Sequence, residues 1–386
     1  MTKRVVSFLF FVLYLGISCQ KEKKRDEKSS SKDITIVSEN YLIGTYTDSL
    51  SQGINLLSFN PVTQELKTQV VLDSIPNPSF VATNKSKTII AAVGEIQGEE
   101  GGLLQTFSYD KEKRIFKELT TVSTLGNDPC TLAFSPNENA LIVGNYSGGN
   151  LTVFPIAPTG EIKNYPQVIQ HEGNSITKQR QEKAHVHCVV FHPTENKLFV
   201  ADLGNDTIDI IPFIEKDNEF VLLPEKTVSI KMPLGSGPRH MVFNEKGDKV
   251  YVVFELTNEV GVFDFKSNSL QLKEVVSLTG KKTKLGSAAE LRISKNSQFL
   301  YVSVRGEDNQ LVVFKTNYGN KLEKIQSIAT DLKPRNFILT NEENFVLVAN
   351  QESNSIILYK RDKKTGLLTQ TSERVVINKP VYFYKL

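Results

Sequence analysis

The stretch GSGPRHMVF, residues 235–243, places two side chains that can carry charge, Arg239 and His240, at the start of an apolar run. A Gly-rich turn and a proline precede the pair, so the run is predicted to be a buried β-strand. Burying such side chains costs free energy unless other polar groups or a ligand satisfy them. The pair is therefore a candidate for binding or catalysis, and its role depends on the elements that position it.

Strand signals of the same kind recur from about residue 40 onward. Paired apolar runs joined by Gly/Asn/Asp turns predict β-hairpins, and no window of helical period competes with them. Hairpins are predicted at 41–59, 140–156, 197–213, 249–265, 299–316 and 345–361. A further strand with a marked entrance begins at residues 78, 129, 186, 238, 288 and 334, at intervals of 51, 57, 52, 50 and 46 residues. A repeat near fifty residues with about four strands is typical of a β-propeller blade.

The two ends of the chain complete each other. Residues 380–385, PVYFYK, resemble a seventh entrance strand, but no hairpin follows them, whereas the first hairpin has no entrance strand. The last strand can therefore complete the first blade, and closing the ring removes exposed sheet edges. The sequence predicts an all-β fold, a seven-bladed β-propeller forming one domain over residues 40–386.

Alignment of the blades predicts which side chains meet at the channel mouth. The entrance strand should be innermost and its neighbour antiparallel to it, so the start of the first and the end of the second lie on one face. The second entrance position is occupied by Ser79, Cys130, His187, Arg239, Ala289, Arg335 and Val381. The facing positions, sixteen residues further on, are Glu95, Tyr146, Leu203, Glu255, Arg305 and Gln351, with Thr45 in the first blade.

These positions cluster charge in a concave place. Arginine binds phosphate or carboxylate with two parallel hydrogen bonds, and a channel mouth is a common ligand site. An anionic, ester-bearing ligand is therefore expected near His187, Arg239, Glu255 and Arg305. Other roles remain open: Arg239 with Glu255 could be a structural ion pair, Arg305 a solvated rim charge, and His187 a hydrogen-bonded strand histidine.

Further titratable side chains are expected to have structural roles. His240 and Glu290 occupy the third entrance position and should point away from their neighbours, because side chains alternate along a strand. His192 is expected in a turn and His171 in a loop. Arg361, at the end of the last hairpin, is expected at the surface.

Other chemistries leave little trace in the sequence. It contains no G-x-S-x-G, H-E-x-x-H, P-loop or G-x-G-x-x-G pattern, so a serine nucleophile, a zinc site and a nucleotide cofactor are unsupported, and we predict no cofactor and no metal. A calcium site stays open as an alternative, because Asn145, Asp202 and Asn350 recur one residue before the channel position. Strand alternation disfavours it, since these side chains should face the neighbouring blade.

The segments YLIGTYT, GINLLSFNPVTQEL, HVHCVVF, GSGPRH and VRG resemble the seven-bladed β-propeller lactonase family. That family includes the bacterial propeller-type 6-phosphogluconolactonases and is similar to the carboxymuconate-cyclising propellers of fungi. The resemblance covers residues 40–386 and implies an enzyme that hydrolyses a sugar-acid lactone, with a small-molecule substrate. We expect a monomer.

On this basis roles can be assigned to the channel residues. We expect Arg239 and Arg305 to bind the anionic group or the oxyanion, Glu255 to activate water without a metal, and His187 to protonate the leaving oxygen. Substrate contacts are expected from His185, which lies one pleat before His187, and from Arg335, Glu95 and Gln351. The alternative is a non-catalytic propeller that binds a protein or glycan at the cell envelope. The charges cluster at the channel rather than on the blade rims, which favours the enzyme.

The N-terminus resembles an export signal. Lys3 and Arg4 precede an apolar run, residues 5–18, and LGISC resembles a bacterial lipobox that ends at Cys19. We predict a signal peptide over 1–19, lipidation of Cys19, a charged tether over 20–39 and an exported lipoprotein anchored to the membrane in the periplasm or at the cell surface. A plain signal peptide with an incidental cysteine is the alternative.

Charge and cysteine content narrow the remaining choices. The chain carries a formal net charge of +3, but residues 1–32 alone hold eight Lys/Arg and three Asp/Glu, so the rest is slightly negative. A body without a basic stripe is not expected to bind nucleic acid. Two cysteines far apart in sequence specify no disulfide framework, so Cys130 and Cys188 are expected to be buried free thiols.

Overall fold

The computed structural model describes residues 1–2, 38–48, 53–281, 285–316 and 321–386. Nearly all of the predicted signal peptide and of the tether, including Cys19, lies outside the described residues. The one helix in the described part is a 3₁₀ turn, Pro224–Lys226, and the other regular elements are strands. No helix of the described part is long and apolar enough to cross a membrane.

The strands follow the predicted repeat. They begin with β1 (Glu39–Thr45), β2 (Ile54–Phe59) and β3 (Leu66–Leu72). Blade 2 contains β4 (Val81–Thr83), β5 (Ile89–Gly94), β6 (Leu103–Asp110) and β7 (Ile115–Ser123). Blade 3 contains β8 (Pro129–Phe134), β9 (Ala140–Asn145), β10 (Asn150–Pro155) and β11 (Gln167–Gln170). Blade 4 contains β12 (Val186–Phe191), β13 (Lys197–Asp202), β14 (Thr207–Lys216), β15 (Glu219–Leu222) and β16 (Val228–Lys231).

The second half of the chain repeats the pattern. Blade 5 contains β17 (Pro238–Phe243), β18 (Lys249–Phe254), β19 (Glu259–Lys266) and β20 (Ser269–Ser277). Blade 6 contains β21 (Ala288–Ile293), β22 (Phe299–Val304), β23 (Gln310–Lys315) and β24 (Glu323–Ala329). Blade 7 contains β25 (Pro334–Leu339), β26 (Phe345–Asn350), β27 (Ser355–Arg361) and β28 (Leu368–Val376), and β29 (Pro380–Lys385) ends the chain.

The ring closes as predicted, through the C-terminal strand. β29 pairs antiparallel with β1, with Tyr41 opposite Lys385 and Ile43 opposite Phe383, and blade 1 has the order β29-β1-β2-β3. The innermost strands contact one another around a complete circle, β4, β8, β12, β17, β21, β25 and β29. The predicted all-β, seven-bladed propeller is therefore confirmed. Blade 4 departs from the four-stranded pattern, because β14 pairs with both β15 and β16 along its outer edge.

The core lies between the blades. Each interface between neighbouring blades holds one apolar cluster, such as the one in which Phe199 of blade 4 packs with Met241, Phe254 and Phe263 of blade 5. The middle strands are buried on both faces, which explains their continuous Val/Ile/Leu/Phe runs. Removing one such aromatic side chain, as in Phe199→Ala, should cost about 3–5 kcal/mol.

A β-bulge recurs where the entrance strands begin. In β17 the register passes from Pro238 opposite Phe254 to Met241 opposite Val252, so that Arg239 and His240 share one partner residue on β18. Similar shifts occur at the starts of β8, β12, β21 and β25. A bulge interrupts the alternation of side chains and turns consecutive residues toward one side.

The bulge corrects one expectation. His240 was expected to point away from the second entrance position, but its ring lies 5.3 Å from the ring of His187 and its Nε2 lies 3.3 Å from Arg239 Nη1. That expectation was wrong because strict strand alternation does not hold at the channel mouth.

Candidate active site

The second and third entrance positions of several blades surround a narrow cavity in the channel. The residues that line it are Ser79, Phe80, Glu95, Cys130, His187, Arg239, His240, Arg335, Asn336, Val381 and Tyr382. Glu255 and Arg305 join this group through direct contacts with Arg239 and Glu255, respectively. Polar side chains from blades 2, 4, 5, 6 and 7 therefore converge on one end of the channel.

The Gly-rich turn before Arg239 is held by its neighbours. Gly235 and Gly237 have φ values of 77° and 62°, and the Asp206 carboxylate accepts hydrogen bonds from both of their N–H groups at 2.6 and 2.7 Å. The Gly237 carbonyl in turn accepts a hydrogen bond from the Glu255 N–H at 2.8 Å. The turn thus fixes Arg239 and Glu255 side by side.

Glu255 is the centre of the charged group and is only 4% exposed. Its Oε2 lies 2.8 Å from Arg239 Nε and 3.3 Å from Arg305 Nη2. Its Oε1 accepts a hydrogen bond from Arg180 Nη2 at 2.8 Å. Burial alone would raise the pKa of Glu255, but the charges of the three arginines outweigh it and lower the pKa to about 2. The carboxylate is therefore ionised at neutral pH and is a weak base.

His187 lies beside this group. Its Nε2 is 4.0 Å from Glu255 Oε2, and its Nδ1 is 3.8 Å from Cys130 Sγ. Burial, together with the charge of Arg239, holds the pKa of His187 well below its usual value. The imidazole is therefore neutral at rest and has no proton of its own to donate, which argues against the donating role expected from the sequence.

Arg180 was missed by the sequence reasoning. It lies in the segment 171–185 between β11 and β12, which no other blade repeats, and it also donates a hydrogen bond to Tyr146 Oη at 3.2 Å. The next residue, Gln181, is fully buried and donates to the Leu203 carbonyl and to Asp206, which anchors the segment. The one available signal was the 57-residue interval between entrance strands, the longest of the series.

A second carboxylate, Glu95, lies with Arg335 on another side of the cavity. Tyr46 Oη donates a hydrogen bond to Glu95 Oε1 at 2.8 Å, and the Arg335 guanidinium lies 5.0 Å from the centre of the Tyr46 ring. Burial raises the pKa of Glu95, and the charge of Arg335 opposes this only in part. The two carboxylates of the site are thus in opposite electrostatic environments.

Two expected substrate contacts lie apart from the charged group. His185 stacks on Tyr146, and its two ring nitrogens lie 3.0 Å from the Tyr146 carbonyl oxygen and 3.0 Å from Glu182 Oε1. Gln351 turns its amide toward Glu352 Oε1 at 3.3 Å and does not line the cavity. Contact of either residue with a substrate therefore remains a prediction.

A second buried charged group lies one residue further into the channel, and we call it the Glu290 cluster. Glu290 Oε2 contacts His240 Nδ1 at 3.3 Å and Arg292 Nη2 at 3.4 Å, and it accepts a hydrogen bond from Asn336. Tyr382 of β29 interacts with Arg292. Burial opposes ionisation of Glu290, but Arg292 and His240 lower its pKa to about 2.

The residues of the calcium alternative have protein partners. Asp202 Oδ1 accepts hydrogen bonds from the N–H groups of His185 and Gly204 at 2.7 and 2.9 Å, and Asn145 Nδ2 donates to the Thr124 carbonyl at 3.3 Å. Within the described ranges, no group of three or more His, Cys, Asp or Glu side chains is arranged to hold a metal ion.

Of the expectations for the cysteines and for Arg361, the first is confirmed and the second is wrong. Cys130 and Cys188 are buried free thiols, as predicted. Arg361 was expected at the surface, but it is 3% exposed. It donates to the Tyr301 hydroxyl at 2.5 Å and to the Glu343 carbonyl at 2.9 Å. That expectation was wrong because buried partners satisfy the guanidinium.

Comparisons with known proteins agree with this architecture. A family model described as Lactonase, 7-bladed beta-propeller matches residues 40–384. A Formosa agariphila protein named 6-phosphogluconolactonase is 30% identical over 340 residues, covering 87% of this chain and 96% of that protein. A Bacillus subtilis 6-phosphogluconolactonase is 28% identical over 344 residues, covering 88% and 96%. The structure of a periplasmic gluconolactonase from Pseudomonas aeruginosa has a TM-score of 0.84 at 28% identity, covering 91% of this chain and 99% of that one.

Proposed function

Because the chain belongs to the seven-bladed β-propeller lactonase family, we propose that it is a carboxylic ester hydrolase that opens a sugar-acid lactone at the channel mouth. The observation that carries this proposal is the grouping of Arg180, Arg239 and Arg305 on one carboxylate, Glu255, beside a neutral His187. Three cations on one anion leave a net positive field, which suits an anionic substituent or a developing oxyanion.

The arrangement suggests a division of labour. Arg239 and Arg305 stabilise the oxyanion that forms at the lactone carbonyl, and Glu255 holds the two guanidinium groups in place. Lowered pKa values make both Glu255 and His187 weak bases. We assign removal of the water proton to His187, because the Glu255 carboxylate oxygens are already engaged by three arginines. The water oxygen attacks the carbonyl carbon, and the bond from that carbon to the ring oxygen breaks. No step uses a metal, so a chelator should leave the rate unchanged.

Four channel variants test this assignment: Arg239→Ala, Glu255→Gln, Arg305→Ala and His187→Ala. Each should lower kcat on a responsive lactone by about 10²–10⁴-fold. The matched control is Arg374→Ala, because Arg374 is an exposed arginine on the outer strand β28. Folded variants that all hydrolyse the lactone at the wild-type rate would show that the site lies elsewhere.

The substrate panel should reflect where the protein meets its substrate. A structural relative is named a periplasmic gluconolactonase, and two sequence relatives are named 6-phosphogluconolactonases. We therefore propose glucono-δ-lactone and its 6-phosphate as the first pair to assay with purified protein. A folded protein that opens neither these nor other sugar lactones would favour the alternative of a non-catalytic propeller that binds a protein or glycan.

We also propose that Cys19 tethers the protein to a membrane after export, on the strength of Lys3, Arg4, the apolar run 5–18 and LGISC. Labelling of cells with a palmitate analogue should tag the wild type and miss Cys19→Ala. Equal labelling of both proteins, or of neither, argues against the tether.

A further inference from the structure

Opening a lactone ring requires a proton for the departing ring oxygen. In the scheme proposed above His187 starts the cycle neutral and takes the water proton, and Glu255 is ionised, so a separate donor would serve the ring oxygen directly. Burial raises the pKa of the Cys130 thiol well above its usual value and raises that of the Tyr46 hydroxyl, so both hold their protons too tightly. Of the side chains at the cavity, Glu95 has the surroundings of a proton donor.

The two oxygens of Glu95 have different environments. Oε1 accepts a hydrogen bond from the Tyr46 hydroxyl at 2.8 Å, whereas Oε2 is buried and makes no hydrogen bond of ordinary geometry. The Ser79 hydroxyl, which is also buried and otherwise unpartnered, interacts with the carboxyl group. When the carboxyl group is protonated, the Tyr46 contact occupies Oε1 and leaves the proton on Oε2. Glu95 lines the same cavity as His187 and Arg239. Oε2 is therefore suited to donate to a ligand there.

The charged and titratable groups around Glu95 are Tyr46, Arg335, Asp128 and Cys130. Burial is the largest influence and favours the neutral carboxyl; Arg335 and the hydrogen bonds from Ser79 and Tyr46 oppose it, and Asp128 reinforces it. Glu255 has three arginines within 3.3 Å, whereas Arg335 is the main cation acting on Glu95. Two carboxyl groups whose surroundings give them different pKa values are typical of a site that needs one ionised and one protonated group.

We propose that Glu95 is the general acid of lactone opening, donating its proton from Oε2 to the ring oxygen as that oxygen leaves the carbonyl carbon. This role rests on the proposed lactonase function. The water proton passes to His187 as the new carbon–oxygen bond forms, and the ring oxygen becomes a hydroxyl with the proton of Glu95. Transfer of the proton from His187 back to Glu95 through water restores both groups for the next turnover.

The test compares wild type, Glu95→Gln and Glu99→Gln on the lactone that the wild type hydrolyses fastest. Glu99 is an exposed carboxylate four residues further along the same segment and serves as the matched control. Glu95→Gln should lower kcat by about 10²–10³-fold, and Glu99→Gln should not change it. The wild-type rate should fall as rising pH removes the proton of the acid, and the Glu95→Gln profile should lack this alkaline limb.

A second substrate separates acid catalysis from a structural role. A phenol is a better leaving group than an alkyl alcohol and needs less protonation, so an aromatic lactone should lose much less rate in Glu95→Gln than a sugar lactone does. An unchanged kcat in Glu95→Gln, or an alkaline limb that persists in this variant, overturns the proposal. Because the wild type is assayed in parallel, such a result leaves the lactonase function itself intact.

Discussion

The channel contains two buried glutamates with similar pKa values but different surroundings. Glu255 and Glu290 are 4% and 3% exposed. Burial opposes ionisation of both, but three arginines lower the pKa of Glu255 to about 2, and Arg292 with His240 lowers that of Glu290 to about 2. Three arginines surround Glu255, and the side chain of one of them, Arg180, is 30% exposed. In the Glu290 cluster, one arginine accompanies a histidine whose pKa burial lowers to about 4.

This difference separates binding from structure. The Glu290 cluster balances one carboxylate with one guanidinium and joins blades 5, 6, 7 and 1 through His240, Arg292, Asn336 and Tyr382. The group around Glu255 has a surplus of positive charge and reaches solvent through Arg180. A surplus of positive charge attracts an anion, whereas a carboxylate balanced by one guanidinium holds elements together. The same residue types therefore carry different roles at positions only a few residues apart.

Opening the ring should have the largest effect on the stability of the protein. Deletion of residues 379–386 removes β29 and with it Tyr382, a member of the Glu290 cluster, and it exposes the edge of β1. Loss of the ladder hydrogen bonds and of the buried Val381 and Phe383 should cost several kcal/mol, comparable to the stability of a whole domain. Thermal unfolding of the truncated protein should therefore begin at much lower temperature, if the protein folds at all.

A permuted chain is the matched control for this deletion. Leu386 N–H bonds to the Asn40 carbonyl, so a short turn can link the moved strand to Ser38 and make blade 1 continuous. The permuted protein should recover the wild-type Tm. Truncated protein that already melts like wild type would contradict ring closure as a source of stability.

Replacement of Glu255 or Glu290 by glutamine tests whether the two clusters have different roles. Both variants leave buried arginines without a carboxylate partner and should lower the free energy of unfolding by about 3 kcal/mol. Only Glu255→Gln should also lower kcat by about 10²–10³-fold, because it disturbs the guanidinium groups that stabilise the oxyanion. Glu290→Gln should stay within about tenfold of wild type. Equal losses of kcat in the two variants would mean that the clusters act as one unit.

The fold was predictable because a propeller repeats itself. Each blade presents the same register to the channel, so alignment of PRHMVF with its counterparts was enough to bring Arg239, Glu255 and Arg305 together. The last entrance strand has no hairpin after it, and the first hairpin has no entrance strand before it. Together these two features predicted that the ring closes.

The errors arose where the repeat is broken. Arg180 lies in a segment that no other blade contains, so alignment could not place it. His240 turned toward the channel because a bulge adds a residue to the start of β17. The partners of Arg361 come from Tyr301, sixty residues away, and from the Glu343 carbonyl, and no pattern in the strand sequence indicates either of them.

Acid pH should weaken both clusters together. The pKa of each glutamate is lowered from 4.5 to about 2 on folding, so each carboxylate stabilises the folded state above pH 4.5 and loses this contribution as the pH falls toward 2. The shift corresponds to about 3 kcal/mol for each residue. Urea unfolding at pH 7 and pH 3 should show a smaller difference in each glutamine variant than in wild type. A difference that stays unchanged would mean that these carboxylates do not set acid stability.

The smallest effect is expected at the exposed end of the Glu255 group. Arg180 is partly solvated, so Arg180→Ala removes a cation without opening the core and should change Tm little. If Arg180 helps bind an anionic substituent, the variant should raise KM for the 6-phosphate lactone about tenfold and leave KM for glucono-δ-lactone nearly unchanged. Arg180→Lys keeps the charge but loses the two-point hydrogen bonding, so it should recover part of the difference. A KM that rises equally for both lactones would instead assign Arg180 to positioning Glu255, and the contrast between a cluster with surplus positive charge and a balanced, structural one would then rest on Arg239 and Arg305 alone.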